Sequence, residues 1–276
     1  MSGKLYLVGT PIGNLGDISP RAAEVLSQAD FIAAEDTRVT MKLLSHLEIR
    51  KPMVSYHEHN KMQSGEKICQ RICAGETCAL VSDAGMSAIS DPGQELCALC
   101  AAAGIEVTVI PGPCAAVCAL ALSGLPVGKF VFEGFLPASK SQRQAQLAAL
   151  REEKRAIVFY EAPHKLAAAL SDMAQILGDR RVALCRELTK LHEETVRTTL
   201  TKAAEKYAAE EPRGEFVLVV EGASEEASGT VDMEEALRQV SQRRSQGASL
   251  KDAVKQVALI TGISKNELYD AAIAQK

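Results

Sequence analysis

The first residues with chemical potential are Gly9-Thr10-Pro11-Ile12-Gly13, where two glycines would let the backbone come close to a bound molecule. Read alone, the stretch is equally a tight turn. It lacks the G-x-G-x-x-G spacing of dinucleotide loops, and no phosphate loop occurs anywhere in the chain, so nicotinamide chemistry and nucleotide hydrolysis are both disfavoured. A second stretch runs Ser82-Asp83-Ala84-Gly85-Met86-Ser87 and on to Asp91-Pro92-Gly93. Asp91 is explained as a helix cap, because a side-chain oxygen there satisfies free helix N–H groups. Asp83 is not explained that way, and its carboxylate beside free carbonyls suits a cationic or amine-bearing small molecule. In Pro111-Gly112-Pro113-Cys114-Ala115 the small residues would let a flat ring lie against the chain. Cys114 has Cys118 one turn away on an apolar helix and reads as a small hydrophobe rather than a nucleophile.

Further polar clusters are Glu35-Asp36-Thr37-Arg38, Tyr56-His57-Glu58-His59-Asn60, Tyr160-Glu161-Ala162-Pro163-His164-Lys165 and Arg186-Glu187-Leu188-Thr189-Lys190. His57 and His59 have the chemistry of bases near neutral pH, or are ordinary surface histidines. Glu35 to Arg38 is either part of a site or a cap with a surface ion pair. Cys97 and Cys100, like Cys69 and Cys73, lie on apolar helical patterns without a second ligand pair at zinc spacing, so no metal is expected.

Short apolar runs must carry these clusters: Lys4 to Val8, Phe31 to Ala34, Cys78 to Val81, Val107 to Ile110, Phe130 to Phe132, Ala156 to Tyr160, Val182 to Cys185 and Phe216 to Val220. They alternate with helical patterns, several opened by Ser19-Pro20, Asp91-Pro92 or Ala162-Pro163, which predicts an α/β fold with its chemistry at strand ends. A turn cluster at Leu125 to Gly128 suggests two α/β sub-domains, 1–124 and 125–222. The polar Gly/Ser stretch 223–231 reads as a linker. Residues 232–276 show only helical patterns, with capping-box spacing at Ser249/Asp252 and Ser264/Glu267 and stop glycines at Gly247 and Gly262. This helical module has a helix-turn-helix flavour, and its Arg238, Arg243, Arg244, Lys251, Lys255, Lys265 and Lys276 barely exceed its acids. It either contacts nucleic acid or is a packing or dimerisation appendage.

With 276 residues, 47% of them hydrophobic and 24% charged, the chain is long and apolar enough for about two folded domains. Its 31 basic against 35 acidic residues give a net charge of −4, so any nucleic-acid contact must be local rather than driven by a global field. No apolar run of about 18 to 20 residues predicts a membrane span. The eight cysteines, without a leader pattern at the amino terminus, predict reduced thiols in the cytoplasm.

Taken in chain order, GTPIGNLGDIS, AAEDTR, YHEHN, VSDAGMSAISDPG, PGPCAA, GFLPASK, FYEAPHK and RELTKLHEE resemble the ribosomal RNA small-subunit methyltransferase I family, within the tetrapyrrole methylase superfamily. The resemblance runs from about Lys4 to Gly222 and continues into the helical tail. It implies two α/β sub-domains holding S-adenosylmethionine in the cleft between them, usually in a homodimer. It implies 2′-O-methylation of a cytidine in the decoding centre of 16S rRNA within the small ribosomal subunit. Carried over by position, it places Pro11, Ile12, Gly13, Asp83, Gly85, Met86, Cys114 and Ala115 at the cofactor, with Tyr160, Ala162, Leu188 and Gly214 from the second sub-domain. His57, Glu58, His59 and Asp36 are the expected catalytic rim, and Arg38, Lys140, Arg143, Lys165 and Lys190 the expected phosphate contacts. The family commonly has proline after Asp-Ala-Gly-Met, where this chain has Ser87, which removes a fixed φ. The same cofactor loops would serve carbon methylation of a tetrapyrrole, or a non-catalytic ribosome-binding module.

Overall fold

A computed structural model of the chain describes residues 3–224 and 233–274. The chain forms two compact units, one from Met1–Cys118 and Glu187–Glu194, the other from Ala119–Arg186 and Thr195–Lys276. Most of the expected linker, from residue 225 on, lies outside the described residues, as does Lys276.

In the first unit, strands Lys4–Val8 (β1), Phe31–Ala34 (β2), Met53–Ser55 (β3), Cys78–Val81 (β4) and Glu106–Ile110 (β5) alternate with helices Pro20–Gln28 (α1), Thr37–His46 (α2), Lys61–Cys73 (α3) and Gly93–Ala102 (α4), and helix Ala115–Ser123 (α5) begins in it and ends among the residues of the second unit. The sheet order is β3-β2-β4-β1-β5, and every pairing is parallel. Helices can then cover both faces, and the central strands β2 and β4 are buried at every position. β2 shows the consequence. Phe31 and Ala33 join a core with Leu5, Ile68, Ile72 and Leu96, while Ile32 and Ala34 join another with Val8, Leu26, Leu44 and Val81. Each fully buried side chain of this size contributes about 1.5–3 kcal/mol. α1 starts as expected: the Ser19 hydroxyl accepts from the Ala22 N–H at 3.1 Å, with Pro20 in the first turn.

The second unit contains Phe130–Phe135 (β6), Lys140–Ala149 (α6), Ala156–Glu161 (β7), Pro163–Leu177 (α7), Arg181–Arg186 (β8), Glu194–Thr199 (β9), Leu200–Ala209 (α8) and Phe216–Val220 (β10). Its order is β6-β7-β10-β8-β9, with β10 antiparallel to both neighbours. Phe216 therefore stands opposite both Glu161 and Arg186. The start of β10 and the ends of β7 and β8 thus share one edge.

Helices Met233–Ser245 (α9), Leu250–Thr261 (α10) and Lys265–Ala274 (α11) follow. They bury their own core of Ala236, Leu237, Val240, Ala253, Val254, Val257 and Leu268, and Leu259 packs against the sheet core of the second unit. Ser249 caps α10 through the Asp252 N–H at 3.1 Å, and Gly262 ends it at φ 78°, a left-handed turn that glycine adopts without strain. Among the described residues no helix is long and apolar enough to cross a membrane.

Candidate cofactor and methyl-transfer site

The parallel sheet of the first unit brings five of the polar or glycine-rich stretches to one end. Gly9 to Asn14 follow β1, Glu35-Asp36 follow β2, Tyr56 to Asn60 follow β3, Ser82 to Pro92 follow β4, and Pro111 to Cys114 follow β5. Carboxyl ends of parallel strands are where such sheets hold ligands.

The loops after β1 and β4 are tied by a reciprocal backbone pair, Thr10 N to Gly85 O at 2.9 Å and Gly85 N to Thr10 O at 3.2 Å. The loops after β1 and β5 meet backbone to backbone, since a Cβ on Gly9 would lie 2.6 Å from Gly112 Cα. No side chain fits there. Gly85 has φ 84°, and a Cβ on it would meet Ile12 Cγ2 at 3.3 Å and Pro113 O at 3.5 Å, while Met86 Sδ faces Gly9. The expected residues Ile12, Gly85 and Met86 therefore converge on one small-residue cradle beside Pro113, with Pro11 and Cys114 next to it in the chain. On the other side of Ile12, Gly13 faces the segment 187–194, with Leu188 O, Thr189 Oγ1 and Lys190 Cγ all within 3.0 Å of a Cβ placed there. Thr189 Oγ1 is buried without a hydrogen-bond partner. Such an orphaned hydroxyl costs free energy unless a ligand satisfies it. A shallow cradle of small residues, an open hydroxyl and nearby carboxylates fit a cationic nucleoside such as S-adenosylmethionine.

Two carboxylates rim this end. Asp83 Oδ1 accepts from the Asp36 N–H at 2.9 Å, and the Asp83 N–H donates to Glu35 Oε2 at 3.4 Å. Burial, then the charge of Asp83, raises Glu35 above the usual glutamate range, and burial likewise raises Asp83. Asp36 is different. It caps α2 through the Arg38 N–H at 2.8 Å and grips the Arg38 guanidinium at 2.6 Å, which holds its pKa at about 2. Asp36 thus caps α2 and pairs with Arg38, where a place on the catalytic rim was expected. Glu35, the first residue of that cluster and the first after β2, is the member that faces Asp83.

After β3, the His57 N–H donates to Asn60 Oδ1 at 2.8 Å, and Asn60 Nδ2 holds Ser55 O at 3.1 Å. His57 Nδ1 is enclosed without a partner, and His57 is near enough for its charge to act on Glu35. His59 stacks edge-on against His57 with ring centroids 5.9 Å apart and is exposed. Glu58 pairs with Lys61 at 2.7 Å.

In the second unit Tyr160 and Ala162 sit at the end of β7 and Gly214 just before β10, at the shared edge. Tyr160 lies against Phe132 and Phe135 with centroids 5.0 and 5.5 Å away. Lys140 is exposed at the start of α6 and Lys165 is half-buried on α7. Arg143 corrects the expectation of a phosphate contact. It is 7% exposed, its Nε and Nη2 both lie 2.7 Å from Asp172 Oδ2, and its Nη1 reaches the Ala138 carbonyl at 3.2 Å, so it fixes the loop before α6. Nor does Ser87 loosen its loop: its hydroxyl accepts from the Ser82 N–H and donates to Val8 O, both at 3.1 Å.

The chain matches the family described as Tetrapyrrole (Corrin/Porphyrin) Methylases over residues 4–204 and the RsmI C-terminal HTH domain over 231–276. A curated relative from Synechocystis sp., named ribosomal RNA small subunit methyltransferase I, is 46% identical over 98% of each chain. One of the same name from Thermotoga maritima is 47% identical over 80% of this chain and 99% of its own. Among solved structures, uroporphyrin-III C-methyltransferase from Thermus thermophilus complexed with S-adenosylhomocysteine shares the fold at a TM-score of 0.55, with 18% identity over 79% of this chain and 97% of that one. The cradle, the strand order and these matches agree: the chain belongs to the ribosomal RNA small subunit methyltransferase I family, a branch of the tetrapyrrole methylases.

Proposed function

We propose that this protein methylates the ribose 2′-hydroxyl of a cytidine in 16S rRNA, taking the methyl group from S-adenosylmethionine. The observation that supports this most directly is the convergence of Ile12, Gly85, Met86 and Pro113 on one cradle in a chain with full-length relatives bearing that name. Pro11, Ile12, Gly13, Gly85, Met86, Cys114, Ala115 and Leu188 hold the cofactor, with Asp83 beside its cationic part. When bound, S-adenosylmethionine supplies an electrophilic methyl group on a sulfonium.

The chain must align the hydroxyl oxygen in line with that methyl group and remove a proton from it. His57 offers the base for the second task. Its Nδ1 is enclosed without a hydrogen-bond partner, which leaves Nε2 as the nitrogen free to meet the hydroxyl. Lys140, Lys165 and Lys190, with Arg38, offer the phosphate contacts. A chain of net charge −4 gains little nonspecific affinity from counterion release, so recognition is local and the assembled small subunit is preferred over naked RNA. The protein acts in the cytoplasm as a homodimer.

The test supplies methyl-labelled S-adenosylmethionine and small subunits from cells lacking the enzyme, and maps the label by nuclease digestion and mass spectrometry. A 2′-O-methylcytidine in the decoding region supports the reading. An intact cofactor site with no label in RNA would overturn it in favour of a small-molecule acceptor such as a tetrapyrrole.

A further inference from the structure

Leu191 is 93% exposed, whereas the other exposed large apolar side chains of the described residues range only from 36% to 60%. Those others still bury much of their surface. Leu191 buries almost none, although Leu188, three positions earlier, is 7% exposed.

The loop that displays it is braced. Glu187 and Thr189 adopt φ of 51° and 66°, a conformation non-glycine residues enter only at a cost. The Thr189 N–H donates to Glu193 Oε2 at 2.6 Å, Lys190 Nζ pairs with Glu187 Oε1 at 2.9 Å, and two backbone bonds, Lys190 N to Glu187 O and Glu193 N to Lys190 O, close the turns. The same segment backs onto Gly13 of the loop after β1. A strained, cross-braced turn beside the cradle thus holds one leucine out into water.

We propose that Leu191 is a specificity-determining wedge that enters the base stack of the RNA beside the target nucleotide and holds that nucleotide turned toward the site. The inference rests on the substrate reading given above. Turning a nucleotide out of a stacked strand toward a methyl donor requires local unstacking, and proteins drive such unstacking by inserting an apolar side chain between bases. A single apolar tip suits that task. It does not suit a subunit interface, which needs about 800 Å² per partner, because Lys190, His192, Glu193 and Glu194 surround it in the chain.

The experiment compares wild type with Leu191→Ala and Leu191→Met on small subunits, together with melting temperature, calorimetric S-adenosylmethionine affinity and mass in solution. A second readout places 2-aminopurine next to the mapped target cytidine in 16S rRNA reassembled into small subunits, where unstacking raises fluorescence. The expected result is that Leu191→Ala keeps its melting temperature, cofactor affinity and mass, loses about tenfold or more in kcat/KM, and fails to raise the fluorescence. Leu191→Met restores both. Undiminished methylation by Leu191→Ala, or a change in its mass in solution, overturns the wedge alone. Absence of label in RNA with wild-type protein overturns the substrate reading and the wedge with it.

Discussion

The Ser87 hydroxyl donates to the Val8 carbonyl at 3.1 Å while accepting the Ser82 N–H, so one buried side chain joins the ends of β1 and β4 just beneath the cradle. Ser87→Ala would leave the Ser82 N–H buried and unpaired, at a cost of about 1–3 kcal/mol. Chemical denaturation should show that loss, and calorimetry a weaker cofactor affinity. Equal denaturation midpoints would mean that the hydroxyl does not close this loop.

Glu35 and Asp36, adjacent in the chain, should respond oppositely to pH. Glu35 has a raised pKa in the folded state, so the unfolded chain ionises first and stability falls as pH rises above the ordinary glutamate value. Glu35→Gln keeps an oxygen for the Asp83 N–H and removes the charge, so it should be at least as stable as wild type at neutral pH. Asp36, held at about 2, contributes stability that is present above the ordinary aspartate pKa and lost as pH falls toward 2. Asp36→Asn should flatten that acid limb. Melting temperatures of both variants across pH decide the matter; parallel curves would refute the assignment.

His57→Ala should lower turnover on small subunits by about a hundredfold or more, the usual scale for a lost general base, with cofactor affinity unchanged. His59→Ala, an exposed ring stacked on His57, should cost far less. Wild-type turnover by His57→Ala would remove histidine from the mechanism.

What the sequence made legible follows from burial. Strands covered on both faces read as apolar runs that stop at a glycine or a polar residue, so β1, β2, β4 and β10 could be placed within a residue. Two of the edge strands, β3 and β9, could not. β3 is three residues long, and β9 reads ETVRTT, half-exposed and without an apolar run. Side-chain roles were hardest where a single position decides orientation, as between Glu35 and Asp36. They were equally hidden where the partner is distant in sequence, as with Arg143 and Asp172 or Ser87 and Val8.

Arg143 offers a direct check on that point. Arg143→Met strands a buried Asp172 carboxylate, which breaking such a pair makes costly, about 3–5 kcal/mol. The variant should unfold at clearly lower denaturant while the salt dependence of RNA binding keeps its slope. Lys140→Ala, at an exposed position, should leave stability alone and reduce the slope by about one. A reduced slope in Arg143→Met at unchanged stability would return Arg143 to the RNA surface.

The three C-terminal helices raise the question of packing against recognition. They have their own core, which argues for an autonomous module, yet Leu259 packs against the second unit, which argues for a fixed one. The Thermotoga maritima relative matches over 99% of its own length while leaving about a fifth of this chain, roughly the size of the module, without counterpart. The cofactor cradle draws no residue from these helices. Removal of residues 225–276 should therefore leave calorimetric S-adenosylmethionine affinity unchanged and lower stability modestly, as Leu259 withdraws from the sheet core. It should reduce methylation of small subunits through KM rather than kcat, because a contact remote from the reacting atoms adds binding and not transition-state stabilisation. If the truncated enzyme methylates subunits with an unchanged KM, the helices pack and do not recognise.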